Sequence, residues 1–182
     1  MAEWGSLARR IRVPLGFLFA AVYLWLAAPT WESIVAGSVV AAPGLWLRAL
    51  ASGHVRKNTA LTTAGPYAYT RNPLYLGSVI LAAGFALAAR SVWLAAGLLL
   101  LFLAVYLPVI RSEEEFLRRT FPEFEEYARR VPRLVPRVPG EPAAHGEFSR
   151  ELYLRHREYN ALLGAAGMMA ALAAKLLWFR GA

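Results

Sequence analysis

Apolar residues run through this chain in long unbroken stretches, not at alternate positions and not at every third or fourth. A stretch of about 20 such residues suits a helix crossing the hydrocarbon core of a bilayer. Five are predicted: Val13 to about Pro29, about Glu32 to Leu50, Pro73 to Ala89, Ser91 to Ile110, and roughly Tyr159 to Phe179. The second holds Pro43 and Gly44, a kink or a close packing point. Only Arg90 separates the third from the fourth, so the two form a tight antiparallel hairpin with Ala89, Arg90 and Ser91 at its tip. Gly164 and Gly167 in the fifth are small residues of the kind that let membrane helices approach closely. The expected fold is all-α, a polytopic membrane bundle in a single domain over residues 1–182, with a cytoplasmic amphipathic helical segment.

Two polar segments remain, Ala51 to Asn72 and Arg111 to Glu158, and any chemistry is expected between them. In the second, charges of both signs alternate at helical spacing with Phe116, Leu117, Phe121, Phe124 and Tyr127. This predicts an amphipathic helical pair broken near Pro122 and lying on the membrane surface. Val131 to Pro136 cannot continue as helix, since each proline removes a donor and restricts the residue before it, so an extended strip follows. Val138 to Gly146 reads as a linker.

Composition agrees with a membrane. The chain of 182 residues is 58% hydrophobic and 18% charged, against about 45 to 50% and about 25% for a soluble domain. Its net charge of +8 sits between apolar runs, which fits anionic lipid headgroups and not nucleic acid. Of the 20 lysines and arginines, Arg90, Lys175 and Arg180 fall on one side and the other seventeen, Arg9, Arg10, Arg12 and Lys57 among them, on the opposite side. That bias puts the N-terminus in the cytoplasm and the C-terminus outside, with the first apolar run a span and not a signal peptide. Absence of cysteine and aspartate excludes thiolate and aspartyl nucleophiles. Three histidines, His54, His145 and His156, have no metal-site spacing.

Two clusters carry candidate chemistry. Gly65 to Gly77 holds a turn, tyrosines and Arg71, and ends on Asn72-Pro73, with Pro73 suited to a first helical turn. Such residues are ordinary at a membrane interface. Arg111, Ser112, Glu113, Glu114 and Glu115 stand at the inner end of the fourth span, where carboxylates are expensive unless paired or bound to a cation. The hairpin makes both clusters emerge at the same face, within reach of one pocket.

The segment Leu61 to Gly77, followed by Arg111-Ser-Glu-Glu-Glu-Phe-Leu117, Phe121, Tyr127 and Val131-Pro-Arg-Leu-Val-Pro136, resembles the isoprenylcysteine carboxyl methyltransferase family. The related phospholipid N-methyltransferases share the scheme, and the likeness covers about residues 45 to 137. It implies an S-adenosylmethionine site built from about 61–77 and 111–137 on the cytoplasmic face. Pro66, Tyr67, Asn72, Pro73 and Tyr75 would line one wall, and Glu113 and Glu114 would meet amino or hydroxyl groups of the cofactor. Tyr127, with Val131 to Leu134, would close over it. Arg71 and Arg111 are the candidate catalytic residues, able to hold a carboxylate through paired hydrogen bonds. Asn72 stands where the family's commoner residue is histidine, so any imidazole role is in doubt while a side-chain hydrogen bond would survive. Pro122 replaces a usual glycine, a change of local turn geometry.

The implied acceptor is hydrophobic, isoprenoid-like or a lipid, with a carboxylate among the choices, and it enters from the bilayer. Two other readings stay open, a lipid-binding or scaffold protein that keeps the fold without turnover and a sterol-reductase-like membrane enzyme. The short chain and the paired glutamates favour the methyl donor over the latter.

Overall fold

The computed structural model describes residues 16–56, 59–139 and 146–180. Outside them lie Arg9, Arg10, Arg12, Lys57 and His145, the start of the expected first span and the middle of the expected linker. The described residues form helices and no strands: α1 Gly16–Leu26, α2 Trp31–His54, α3 Pro73–Ala89, α4 Val92–Thr120, α5 Phe124–Arg130, α6 Arg150–Arg155 and α7 Tyr159–Arg180. A short 3₁₀ turn covers Gly65–Ala68. Among them α2, α4 and the Tyr159–Trp178 part of α7 are long and apolar enough to cross a membrane, while α1 and α3 are shorter apolar helices.

Local chemistry starts these helices where the chain needs them. Thr30 and Ser33 form a reciprocal capping box at α2, which satisfies two otherwise orphaned donors. Pro73 opens α3, where its missing donor costs nothing. Arg90 ends α3 in the left-handed region (φ 52°), a conformation that reverses the chain within one residue, and Ser91 then caps α4.

The closest pairing is α2 against α3. Its contact line is built from glycines seven apart in each helix, Gly37 meeting Gly84 and Gly44 meeting Gly77. A Cβ on Gly37 would stand 2.5 Å from the Gly84 carbonyl oxygen, and one on Gly44 2.6 Å from that of Gly77. Without a hydrophobic force between helices in lipid, such backbone proximity is what packing can use. Gly44 is therefore a close packing point, and α2 runs on through Pro43. Gly164 and Gly167 do not behave as expected, since among the described residues a Cβ on either meets nothing within 4 Å. Instead α7 turns Met168, Met169, Leu172 and Leu176 towards the core it shares with Tyr23, Ala88 and Leu94.

The helix that holds the fourth expected span runs on beyond Ile110. Helix α4 continues to Thr120, so Arg111 to Glu115 lie on helix and not in an acidic turn. At one end of the bundle Lys175 Nζ donates to the carbonyls of Leu24, Trp25 and Ala27 at 2.7–2.8 Å, capping the end of α1 with a cation. At the other end Arg48 of α2 pairs with Glu158 at 2.6 Å, and both polar segments gather there.

Candidate functional site

The polar end is organised around one buried carboxylate. Glu114, only 3% exposed, accepts from Asn72 Nδ2 at 3.0 Å through one oxygen and from Arg133 Nε at 2.8 Å through the other. Arg71 Nε lies 3.4 Å from the first oxygen. A buried charge requires partners of this kind. Asn72 Nδ2 also reaches the Arg133 carbonyl at 2.9 Å, so both of the amide's donations are made within the protein.

The strip after α5 is zipped along the turn before α3. Val131 is extended, as a residue before proline should be. From there Arg71 N donates to the Pro132 carbonyl at 2.9 Å and Arg137 N to the Tyr69 carbonyl at 3.0 Å, while the Thr70 hydroxyl reaches the Arg133 and Leu134 carbonyls. The turn is held from below as well. Tyr127 donates its hydroxyl to the Tyr67 carbonyl at 2.8 Å, and Pro66 receives the amides of Tyr69 and Thr70. Gly65 is required there twice, because φ is +59° and a Cβ would meet the His54 ring at 2.5 Å. Burial raises the phenol pKa of Tyr67 and of Tyr127 well above the ordinary value, so both stay neutral and Tyr127 keeps the hydrogen it donates.

These elements enclose a cleft of about 250 Å³. Tyr67, Arg71, Asn72, Pro73, Tyr75, Glu113, Glu114 and Tyr127 line it. Pro66, Val131 and Leu134 support the turn and strip and are not among the lining residues, and Arg111 is exposed outside the cleft. Arg56, Thr62, Phe116, Leu117 and Phe124 line it too; the last four fall within the expected cofactor-site segments without having been singled out as lining residues, and Arg56 lies outside them. For Phe116, Leu117 and Phe124 the signal was present in the apolar face of the amphipathic pair, but not which way that face turned. Phe124 is fully buried between the guanidiniums of Arg71 and Arg118, at 5.9 and 5.6 Å.

The two glutamates have different surroundings. Glu114 is consumed by its partners, whereas Glu113 is exposed and accepts from the Tyr75 hydroxyl at 2.9 Å. Glu113, Tyr75 and Leu74 are shared with a second, wider chamber of about 600 Å³, which also reaches Arg48, Glu158, Ser78 and Tyr106. Ser78 and Tyr106 in turn belong to an apolar groove of about 250 Å³ between α3 and α4, floored by Ala82, Ala83, Ala86 and Leu98. Cleft, chamber and groove thus follow one another through shared walls.

The cleft suits S-adenosylmethionine chemically. Arg71 is paired with Glu114 at 3.4 Å, and although its Nε is buried it makes no hydrogen bond among the described residues, so its guanidinium keeps donor capacity for a carboxylate at the cleft. Glu113 offers a carboxylate for an ammonium or ribose hydroxyls, and the aromatic walls offer a surface for a purine.

A family model described as phospholipid methyltransferase matches residues 15–123. The chain is 42% identical over 115 residues to the nickel-cobalt-cadmium resistance protein NccN of Alcaligenes xylosoxydans xylosoxydans, a match covering 63% of this chain and 53% of that one. It is 44% identical over 94 residues to the cobalt-zinc-cadmium resistance protein CzcN of Cupriavidus metallidurans, covering 52% and 43%. The chain thus spans about half the length of the curated relatives it matches. No solved structure matches it.

Proposed function

The chain belongs to the phospholipid methyltransferase family, and from that membership we propose that it is an integral membrane methyltransferase using S-adenosylmethionine on a membrane-soluble acceptor. The observation that carries this reading is the wall of Leu74, Tyr75 and Glu113 shared between the cleft and the chamber. It lets a water-soluble donor and an amphiphile meet without either crossing the other's compartment.

When bound, S-adenosylmethionine supplies an electrophilic methyl group on a cationic sulfur. Arg71 would hold its carboxylate, Glu113 its ammonium or ribose, and Tyr67, Phe116 and Tyr127 the purine. The protein's own contribution is to align the acceptor and keep water out. The Asn72, Arg133 and Glu114 network keeps the cleft wall rigid for that alignment.

For the acceptor we favour a nitrogen head over a carboxylate. Among the described residues lining the chamber, the charged ones are Glu113, Glu158 and Arg48. Arg48 is already engaged by Glu158, Ser78 and the Leu74 carbonyl, which leaves the Glu113 carboxylate to draw a cationic head. Glu113 stands at the shared wall to orient that head and to accept the ammonium proton, so that the freed nitrogen lone pair can attack the methyl carbon as the carbon–sulfur bond breaks. The arginine bias supports a cytoplasmic cleft and N-terminus and an external C-terminus. The metal resistance in the relatives' names would come to this chain through the membrane it modifies. Among the described residues no group of three metal-ligating side chains is gathered.

Calorimetric titration with S-adenosylmethionine, followed by transfer of a labelled methyl group to phosphatidylethanolamine or to farnesoic acid, tests the proposal. Binding with label in the ethanolamine lipid is expected. No binding sinks the enzyme reading, and label in the acid alone sinks the nitrogen acceptor.

A further inference from the structure

Helix α4 is α-helical except for one π turn over Phe102–Tyr106, closed by a bond from Leu107 N to the Phe102 carbonyl. Its cause lies in Pro108. A proline inside a helix has no amide to give and collides with the carbonyl four residues back, here that of Ala104, and widening the turn by one residue relieves the collision. Such turns give up regular geometry and concentrate where function needs a side chain re-aimed.

The side chain at the end of this turn is Tyr106, which lines both the groove between α3 and α4 and the polar chamber. Its ring stacks on Phe102 of the groove at 6.2 Å and 15°. It also meets Tyr75 edge-on at 6.0 Å and 78°, and the Tyr75 hydroxyl binds Glu113. Tyr106 is therefore the aromatic link between a tail-shaped apolar space and the carboxylate at the cleft. The groove beyond it is lined by Ala82, Ala83, Ala86 and Ala95, and Ser78 to Ala86 spans about 12 Å along α3.

We propose that Tyr106 is the specificity-determining residue of this enzyme. Its ring sets the width admitted beside the nitrogen, so that an acceptor unbranched at the carbon bearing the nitrogen passes, as the ethanolamine head is, and one branched at that carbon does not. The inference rests on the methyltransferase reading and adds to it the shape of the acceptor. Packed aromatic walls discriminate by one or two methylenes with factors of about 10 to 200, and overpacking is the physical cause.

The test uses the full chain in phosphatidylcholine nanodiscs and two probes, dodecylamine and tridecan-7-amine, the second branched at the carbon that bears the nitrogen. In one arm the amines compete for methyl transfer from labelled S-adenosylmethionine, and the product ratio is read. In the other, without the cofactor, each displaces a diazirine-bearing dodecylamine from photo-crosslinking to the groove. Wild type should favour dodecylamine about tenfold in both arms. Tyr106→Ala should bring the ratio near one, and Tyr106→Phe, which keeps the ring and guards against a folding artefact, should preserve it. An unchanged ratio in Tyr106→Ala, or its loss in Tyr106→Phe, overturns the proposal. Failure of transfer in wild type with the displacement pattern intact would sink the enzymatic reading while leaving Tyr106 as the selecting residue.

Discussion

Asn72 Nδ2 donates to Glu114 Oε1 across 3.0 Å, joining the start of α3 to α4 through two buried side chains. Each is the other's reason to be tolerated there, because a buried amide and a buried carboxylate are costly without partners.

Replacing Asn72 with leucine should cost about 1–3 kcal/mol, the penalty for a buried group left unsatisfied. Asn72→His should retain most of the stability, since an imidazole N–H can make the same donation. Thermal unfolding in detergent checks both, and a leucine variant as stable as wild type would remove the network from the account.

The neighbouring glutamates should separate in mutation. Glu114→Gln leaves Arg71 and Arg133 facing a neutral group in a buried site, and the expected loss is about 3–5 kcal/mol. Glu113→Gln touches an exposed side chain and should leave the melting temperature unchanged while weakening S-adenosylmethionine binding several-fold. Paired calorimetry and melting curves decide, with equal effects on both quantities in both variants counting against the division of roles.

Alkaline pH should destabilise the protein through Tyr67 and Tyr127. Burial holds both phenols protonated in the folded chain, with Arg71 pulling Tyr127 weakly the other way. The unfolded chain releases those protons near pH 10, so this stabilisation is complete below about pH 10 and declines as pH rises above it. Tyr127→Phe should lose about 1 kcal/mol at neutral pH with its bond to Tyr67 and show a shallower alkaline slope. A slope identical to wild type in pH-dependent denaturation would rule out this origin.

Gly84→Leu should disrupt the α2 and α3 pair, since even its Cβ would stand 2.5 Å from the Gly37 carbonyl oxygen. Gly164→Leu, placed where among the described residues a Cβ meets nothing within 4 Å, is the matched control. Expression and monodispersity in detergent should collapse for the first and persist for the second.

What the sequence determined alone is what depends on local chemistry. Lengths of apolar stretches, the Pro73 start, the one-residue hairpin at Arg90 and the stop at the Val-Pro strip follow from hydropathy and from proline's missing donor. The meeting of the Asn-Pro and glutamate clusters at one end also follows, because so short a hairpin must return its ends to the same face. Which side chain turns inward was decided only by the tertiary structure. Glu113 and Glu114 are about 100° apart around a helix, so the rotation of α4, set by packing and by the π turn before Pro108, chooses which is buried among arginines and which faces the cavities. The same rotation leaves Arg111 outside. The outward face of Gly164 and Gly167, and the register of the strip along Tyr69 to Asn72, likewise depend on partners distant in the chain, which no local pattern encodes.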